Sequence, residues 1–246
     1  MVAFSPSGYA ELLDTITAYG YRTIGYDEAH TADKKALLLR HDIDFSMDYA
    51  HAMARIEADK GIRATYFVML RSPVYSLLSR HSSRLLREIV AMGHHIGLHF
   101  DAAFEQGPER SQEAWLRFES ETLSTLANTP VTAFSLHQPT QAMIDARITI
   151  EGMVNTYHPE HTQGFTYISD SNRDWRGKDP VALLATGGNI QLLIHPMWWI
   201  SPAATPEACW DHVIALNFER AQEQMLKTER AYGPARRIAL HSTGGA

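Results

Sequence analysis

Ala36-Leu37-Leu38-Leu39-Arg40-His41-Asp42-Ile43-Asp44 sets an apolar run directly against a cluster of charged side chains. Residues Ala36 to Arg40 read as a buried strand that delivers the polar cluster to its C-terminal end. The pattern continues downstream. A helix is expected from about Met47 to Lys60, with Tyr49, Met53 and Ile56 inward and Gly61 as its stop. Thr65 to Leu70 is rich in β-formers and reads as the next strand. A helix over Ser82 to Met92 ends at Gly93, and the strand His95 to His99 follows. A longer helix spans Gln112 to Ala127, and Val131 to His137 is a strand ended by Pro139. Upstream, Ser5 or Ser7 is placed to cap a first helix, with Tyr9, Leu12, Leu13, Ile16 and Tyr19 on one stripe and Gly20 closing it. Downstream lie short strands at Tyr167 to Ser169 and Ile190 to His195. One long helix follows over Pro206 to Tyr232, with Leu216 and Met225 on its core face.

Strands alternating with helices of this length predict right-handed βαβ units and a parallel α/β sheet. Polar residues stand at the C-terminal ends of several of the strands, the edge where parallel α/β folds bind ligands. A closed or partly closed barrel and an open sheet satisfy this pattern equally.

The 246 residues, 45% of them apolar, suffice for one full core, and a single domain over residues 1–246 is expected. The formal net charge of −6 argues against a nucleic-acid partner. No run approaches the roughly 20 apolar residues needed to span a bilayer, so no membrane partner is expected. The single cysteine, Cys209, rules out an intramolecular disulfide and points to a reducing compartment. The N-terminal stretch lacks a basic-then-apolar leader pattern, so a cytoplasmic protein is expected. Nothing in the sequence speaks to oligomeric state. Histidine, the commonest metal ligand, occurs 13 times.

Four polar strand ends carry candidate chemistry. Asp42 and Asp44, two apart, put both carboxylates on one side of the chain. Close carboxylates repel unless a cation lies between them or one is protonated. Alternatively, Asp44 or Ser46 caps the following helix. In Gly93-His94-His95-Ile96-Gly97-Leu98-His99-Phe100-Asp101, alternation puts His95, Gly97, His99 and Asp101 on one face. His94 and His95 read as internally hydrogen-bonded residues. His99 and Asp101 read as two ligands, or as a ligand with its supporting carboxylate. His137 and His195 each follow an apolar strand. Trp175 and the Trp198-Trp199 pair fit either a core or an apolar wall for a sugar ring or acyl group.

With these motifs in order, the chain resembles the polysaccharide deacetylase superfamily (carbohydrate esterase family four), over about Leu37 to His195. Arg40-His41-Asp42-Ile43-Asp44 and Gly93-His94-His95-Ile96-Gly97-Leu98-His99-Phe100-Asp101 are similar to the branch associated with surface-sugar biosynthesis, and Gly61 to Val68 is similar to the family's second strand. The resemblance implies a distorted (β/α) barrel of about seven parallel strands with helices outside. It implies a metal-dependent carbohydrate deacetylase acting on a sugar or oligosaccharide. It makes Asp42 the general base, Asp44 and His99 metal ligands, and His195 the general acid, oriented by Asp170 or Asp174. Asp101, Trp175 and Trp198 would contact substrate. The ion implied is Zn2+, with Ni2+, Co2+ or Mn2+ as alternatives.

Two departures stand out. The family's second metal histidine, four residues after the first, is Ala103 here. His137 is the first candidate to replace it and Asp101 the second. The family's third motif often has an arginine where this chain has His137, which would otherwise be free to hold Asp42. The rival readings are a metal-dependent amidohydrolase of a small nitrogenous substrate and a catalytically inactive sugar-binding domain of the same fold. Metal content separates enzyme from binding module.

Overall fold

Helix and strand alternate along the chain. The computed structural model describes residues 2–103 and 111–233. Helix α1 (Pro6–Ala18) leads into β1 (Arg22–Thr23) and β2 (Ala36–Ile43). Then come α2 (Met47–Asp59), β3 (Thr65–Val68), α3 (Arg80–Ala91), β4 (His95–Phe100), α4 (Gln112–Ala127) and β5 (Ala133–Leu136). The second half holds α5 (Gln141–Asp145), β6 (Val154–Asn155), β7 (Phe165–Ser169), α6 (Pro180–Leu184), β8 (Asn189–Ile194), α7 (Pro196–Ile200) and α8 (Pro206–Thr228).

All strand pairs named here are parallel, in the order β6-β5-β4-β3-β2-β8-β7. The short β1 pairs with Ala36 and Leu37 of β2, while β3 pairs with β2 only from Arg40 onward. β1 and β3 therefore share one edge of β2, and the eight strands occupy seven positions. The end strands β6 and β7 are not paired with each other, so the sheet curls into a half-barrel without closing, with helices around it.

Alternation along the strands makes two cores. Leu37, Leu39, Ile43, Tyr66, Val68, Ile96, Leu98, Phe134 and Leu136 face outward and pack with Leu12, Met53, Leu86 and Leu123 of the helices. Facing inward, Ala36, Leu38, Phe67 and Ala133 join Ile24 and Tyr26 in a small second core that plugs the bottom of the half-barrel. Gly97 belongs to this inner layer, and a Cβ there would run into the Phe67 ring. The room left by Gly97 is thus filled by an aromatic side chain of the next strand. Above that plug, the inward side chains become polar.

Local signals explain several boundaries. Ser5 Oγ accepts from Gly8 N at 3.0 Å to start α1. Ser46 Oγ accepts from Tyr49 N at 3.3 Å to start α2, so Ser46 is the cap and Asp44 is left free for the site. Strand β2 runs through Ile43, so His41 and Asp42 lie within it rather than beyond it. The final helix stops at Thr228 instead of Tyr232, where Glu229 turns extended. Its buried face uses Cys209, Val213 and Gln222; Leu216 is half-buried and Met225 is exposed, contrary to expectation. The two-residue strands β1 and β6 and the five-residue helices are too short to leave a periodic signal. Among the described residues, no helix is long and apolar enough to cross a membrane.

Candidate metal centre and its flanking groups

At the C-terminal edge of the half-barrel, β2, β4 and β5 bring Asp44, His99 and His137 together. Asp44 follows β2, His99 is the penultimate residue of β4, and His137 follows β5. Asp44 Oδ1 lies 3.0 Å from His99 Nε2 and 3.3 Å from His137 Nδ1, and the two nitrogens are 3.2 Å apart. Tetrahedral Zn2+ with ligands at ~2.0–2.1 Å sets its ligands ~3.3 Å apart. A triangle of this size therefore suits a small divalent ion. Among the described residues, the buried Asp44 Oδ1 has no hydrogen-bond partner, although both imidazoles approach it. A buried carboxylate oxygen in that state is costly unless a cation completes it. Burial raises the Asp44 carboxyl, but the His137 and His99 imidazoles outweigh it and hold the group well below the usual carboxylate range. The donor set of one carboxylate and two imidazoles fits Zn2+ and similar ions.

His99 is 3% exposed, and its Nδ1 is hydrogen-bonded to Ser135 Oγ at 2.7 Å, which fixes the ring with Nε2 toward Asp44. Ser135 lies opposite His99 across β4 and β5. Of the two alternatives for a third ligand, the structure places His137 in the triangle and Asp101 outside it. Asp101 Oδ1 instead accepts from Ala103 N at 3.1 Å, tying the turn after β4, and Asp101 is absent from the cleft wall described below.

Asp42 sits beside the triangle, with Oδ2 3.7 Å from His99 Nε2. Its partner is Arg40, two residues earlier on the same face of β2. Arg40 Nε donates to Oδ1 at 2.8 Å and Nη2 to Oδ2 at 2.7 Å, a buried two-point ion pair. Arg40 is held in turn by Thr156 Oγ1 at 3.1 Å and Tyr157 OH at 3.2 Å, and its guanidinium lies over the Phe67 and Tyr157 rings. Burial raises the Asp42 carboxyl, but Arg40 and then His99 outweigh that and keep it low. Arg40, not His137, therefore holds Asp42. Sequence reasoning passed over Arg40, yet the i, i+2 spacing on a strand already put the two side chains on one face. Thr156 and Tyr157, just past β6, carried no such signal.

Across the cleft, His195 immediately precedes α7, and its side chain makes no capping hydrogen bond. His195 Nδ1 is 2.6 Å from Asp170 Oδ1, and its backbone N–H donates to the same carboxylate at 3.1 and 3.2 Å. Trp199 Nε1 donates to Asp170 Oδ2 at 2.8 Å. Asp170 is fully buried, and this web leaves His195 Nε2 without a partner among the described residues. Burial lowers the His195 imidazole, but Asp170 outweighs it and pushes the pKa up to about 9. Asp174, the alternative partner, instead accepts from Arg176 N at 2.8 Å.

These groups line one open cleft of about 460 Å³, with Asp42, Asp44, His99, His137, His195, Tyr157, Tyr167, Trp198 and Trp210 among its walls. Trp198 is 4% exposed, and its buried indole N–H has no hydrogen-bond partner among the described residues. Trp175, expected as a wall, is buried instead against Phe4 and Trp199 and is absent from the cleft. Phe4, arriving with the N-terminal segment, turns it into a core residue. His94 is internally bonded as expected, to Ala54 O and Ala64 N, whereas His95 is exposed.

No protein-family model matches the chain, and no curated protein matches it. Three solved structures illustrate what it is similar to. A CE4 family pseudoenzyme from Bacillus anthracis is 16% identical over 76% of this chain and 62% of its own, with a TM-score of 0.42. The Streptococcus pyogenes deacetylase PplD, in complex with acetate, is 16% identical over 84% and 85%, with a TM-score of 0.44. A family 4 acetyl xylan esterase from Clostridium thermocellum, in complex with a cobalt ion, is 17% identical over 85% and 98%, with a TM-score of 0.40. This chain thus spans less than two thirds of the pseudoenzyme's length. At these identities and scores the likeness is too loose to carry residue correspondences. The pseudoenzyme and the acetyl xylan esterase are both described as carbohydrate esterase family 4 proteins.

Proposed function

We propose that this chain is a divalent-metal-dependent deacylase of the polysaccharide deacetylase superfamily, removing an acyl group, N-acetyl in the first instance, from a sugar or sugar-containing intermediate. The observation that supports it most is one cleft flanked on one side by Asp44, His99, His137 and Asp42 and on the other by His195.

Asp44, His99 and His137 would hold the ion. When bound, a divalent ion there supplies Lewis acidity toward a carbonyl and makes hydroxide accessible near neutral pH. The protein's own groups do the rest. Asp42, kept ionised and aimed by Arg40, accepts the proton of the attacking water. His195, kept protonated at neutral pH by Asp170, donates a proton from Nε2 to the departing amine nitrogen as the C–N bond breaks. The acyl carbon leaves as a carboxylic acid and the sugar as a free amine. Tyr167 and Trp210, 40% and 38% exposed, line the same cleft and would give a sugar aromatic surface to pack on.

The test is metal content by mass spectrometry together with acetate release from N-acetylated sugars. Asp44→Asn and His99→Ala are expected to lose the metal and all activity. Asp42→Asn is expected to keep the metal and lose on the order of 10²–10⁴ in turnover. Normal hydrolysis by all three variants, or a wild-type protein that takes up no metal when Zn2+ is supplied, sinks the reading.

A further inference from the structure

The rim of the cleft contains a cation that the hydrolysis leaves unused. The loop after β7 runs from Asp170 to Gly177 through three non-glycine residues in the left-handed region, Asn172 (φ 60°), Arg173 (φ 59°) and Arg176 (φ 53°). Each such residue costs on the order of 1 kcal/mol, so the conformation persists because contacts impose it. Its two arginines are used in opposite ways. Arg173 turns inward, donating through Nη1 to Ala203 O at 2.8 Å and through Nη2 to Phe4 O at 3.2 Å, and so pins the loop. Arg176 has its backbone N–H clamped by the Asp174 carboxylate at 2.8 Å, while its side chain lines the cleft.

Among the described residues, Arg176 has no acidic partner and its side chain makes no hydrogen bond, and it is exposed. The other charged groups along the cleft are committed: Asp42 to Arg40, Asp44 to the two metal-site imidazoles, and His195 to Asp170. Arg176 is thus the described cleft-lining cation that still lacks an acceptor. A guanidinium presents a planar fork that matches a phosphate or a carboxylate at two points. Tyr167 and Trp210 line the same cleft and suit the sugar that would carry such a group.

We propose that Arg176 binds an anionic group on the substrate, so that the molecule processed is a charged N-acyl sugar, phosphorylated or carboxylated, rather than a neutral glycan. This rests on the deacylase reading and names its substrate class. The test uses the full chain supplied with Zn2+ and three probes: N-acetylglucosamine, its 1-phosphate, and the corresponding N-acetylated uronic acid. Binding is measured by calorimetry and acetate release in the same samples. Wild type is expected to bind at least one charged probe about tenfold tighter than the neutral sugar, a usual size for one charge-assisted contact. Arg176→Gln is expected to erase that preference, raise KM for the charged probe by a similar factor, and leave kcat and neutral binding unchanged. Any contact of the anion with the ion is common to both proteins, so the wild-type-to-variant ratio isolates the arginine. Preference for the phosphate alone or the uronate alone identifies the source of the charge. The proposal is overturned if no charged probe binds, if the neutral sugar binds as tightly as both charged ones, or if Arg176→Gln weakens all three equally. Arginine-dependent binding without acetate release would sink the deacylase reading and with it the assignment of a processed substrate, leaving only an anion-binding arginine; release from all three with Arg176 dispensable would keep the deacylase reading and overturn this proposal.

Discussion

Strand β2 serves two buried carboxylate–histidine clusters, one on each face, and only one of them opens on a cleft. On the outer face, Glu57 of α2 is fully buried and receives Tyr9 OH, His41 Nε2 at 2.6 Å and Tyr66 OH at 2.6 Å, with His94 Nδ1 3.6 Å away. His41 Nδ1 lies 3.1 Å from Ile194 O, so that cluster also ties β2 to the end of β8. Burial raises the Glu57 carboxyl, but His41 outweighs it and holds it low. On the inner face, Asp44 has two imidazoles within 3.3 Å and yet keeps a buried oxygen without a hydrogen bond. The two sets have similar composition. They differ in saturation and access: the Glu57 acceptors are used up inside the protein, whereas the Asp44 group opens on a cleft. Incomplete hydrogen bonding and an open path are what make the Asp44 group, and not the Glu57 group, the candidate metal site.

Four substitutions test that contrast, the largest effect first. His99→Ala should abolish metal uptake and lower acetate release by 10³-fold or more, with a smaller stability loss of about 1–3 kcal/mol from the lost Ser135 hydrogen bond. Glu57→Ala should do the opposite. It strands His41 and two tyrosines in the core and is expected to cost about 3–5 kcal/mol in chemical denaturation, with metal stoichiometry intact in the folded fraction. A Glu57 variant that loses metal without losing stability would erase the distinction between the clusters.

The third test is graded. In the proposed reaction His195 is the acid; it is protonated below about 9, so turnover should fall as pH rises through that value. Asp170→Asn removes the charge that raises this pKa, so the alkaline limb should move to lower pH, with a 10- to 100-fold loss on the order expected for a misplaced general acid. An unmoved alkaline limb would remove His195 from the reaction. The smallest effect is expected from Gly97→Ala. Its methyl group meets the Phe67 ring two residues before His99 and should cost about 1–3 kcal/mol by overpacking, with a modest weakening of metal affinity as β4 shifts.

Much of the fold was legible because strand and helix periods differ and because Gly61 and Gly93 punctuate the helices. The places where reading fell short share a cause. Arg40 looked like the polar end of an apolar strand, although its real role is to pair with Asp42 at a distance of two residues. Trp175 and Trp198 were both open to a core or a wall reading; Trp175 packs against Phe4 and Trp199 away from the cleft, whereas Trp198 lines it. His137 stood ahead of Asp101 as a third ligand, but spacing left both open. The β4–β5 register and the Asp101 turn separate them.

By itself, the order of residues determined the parallel α/β alternation, the polar strand ends and the identity of Asp42, Asp44, His99 and His195 as the groups to watch, because period and side-chain chemistry are local properties. Only the tertiary structure decided that the sheet curls around its own small core, that His137 closes the triangle with Asp44 and His99, and that Arg40 occupies Asp42. Those outcomes depend on distances between segments far apart in the chain, which strand register and sheet curvature set.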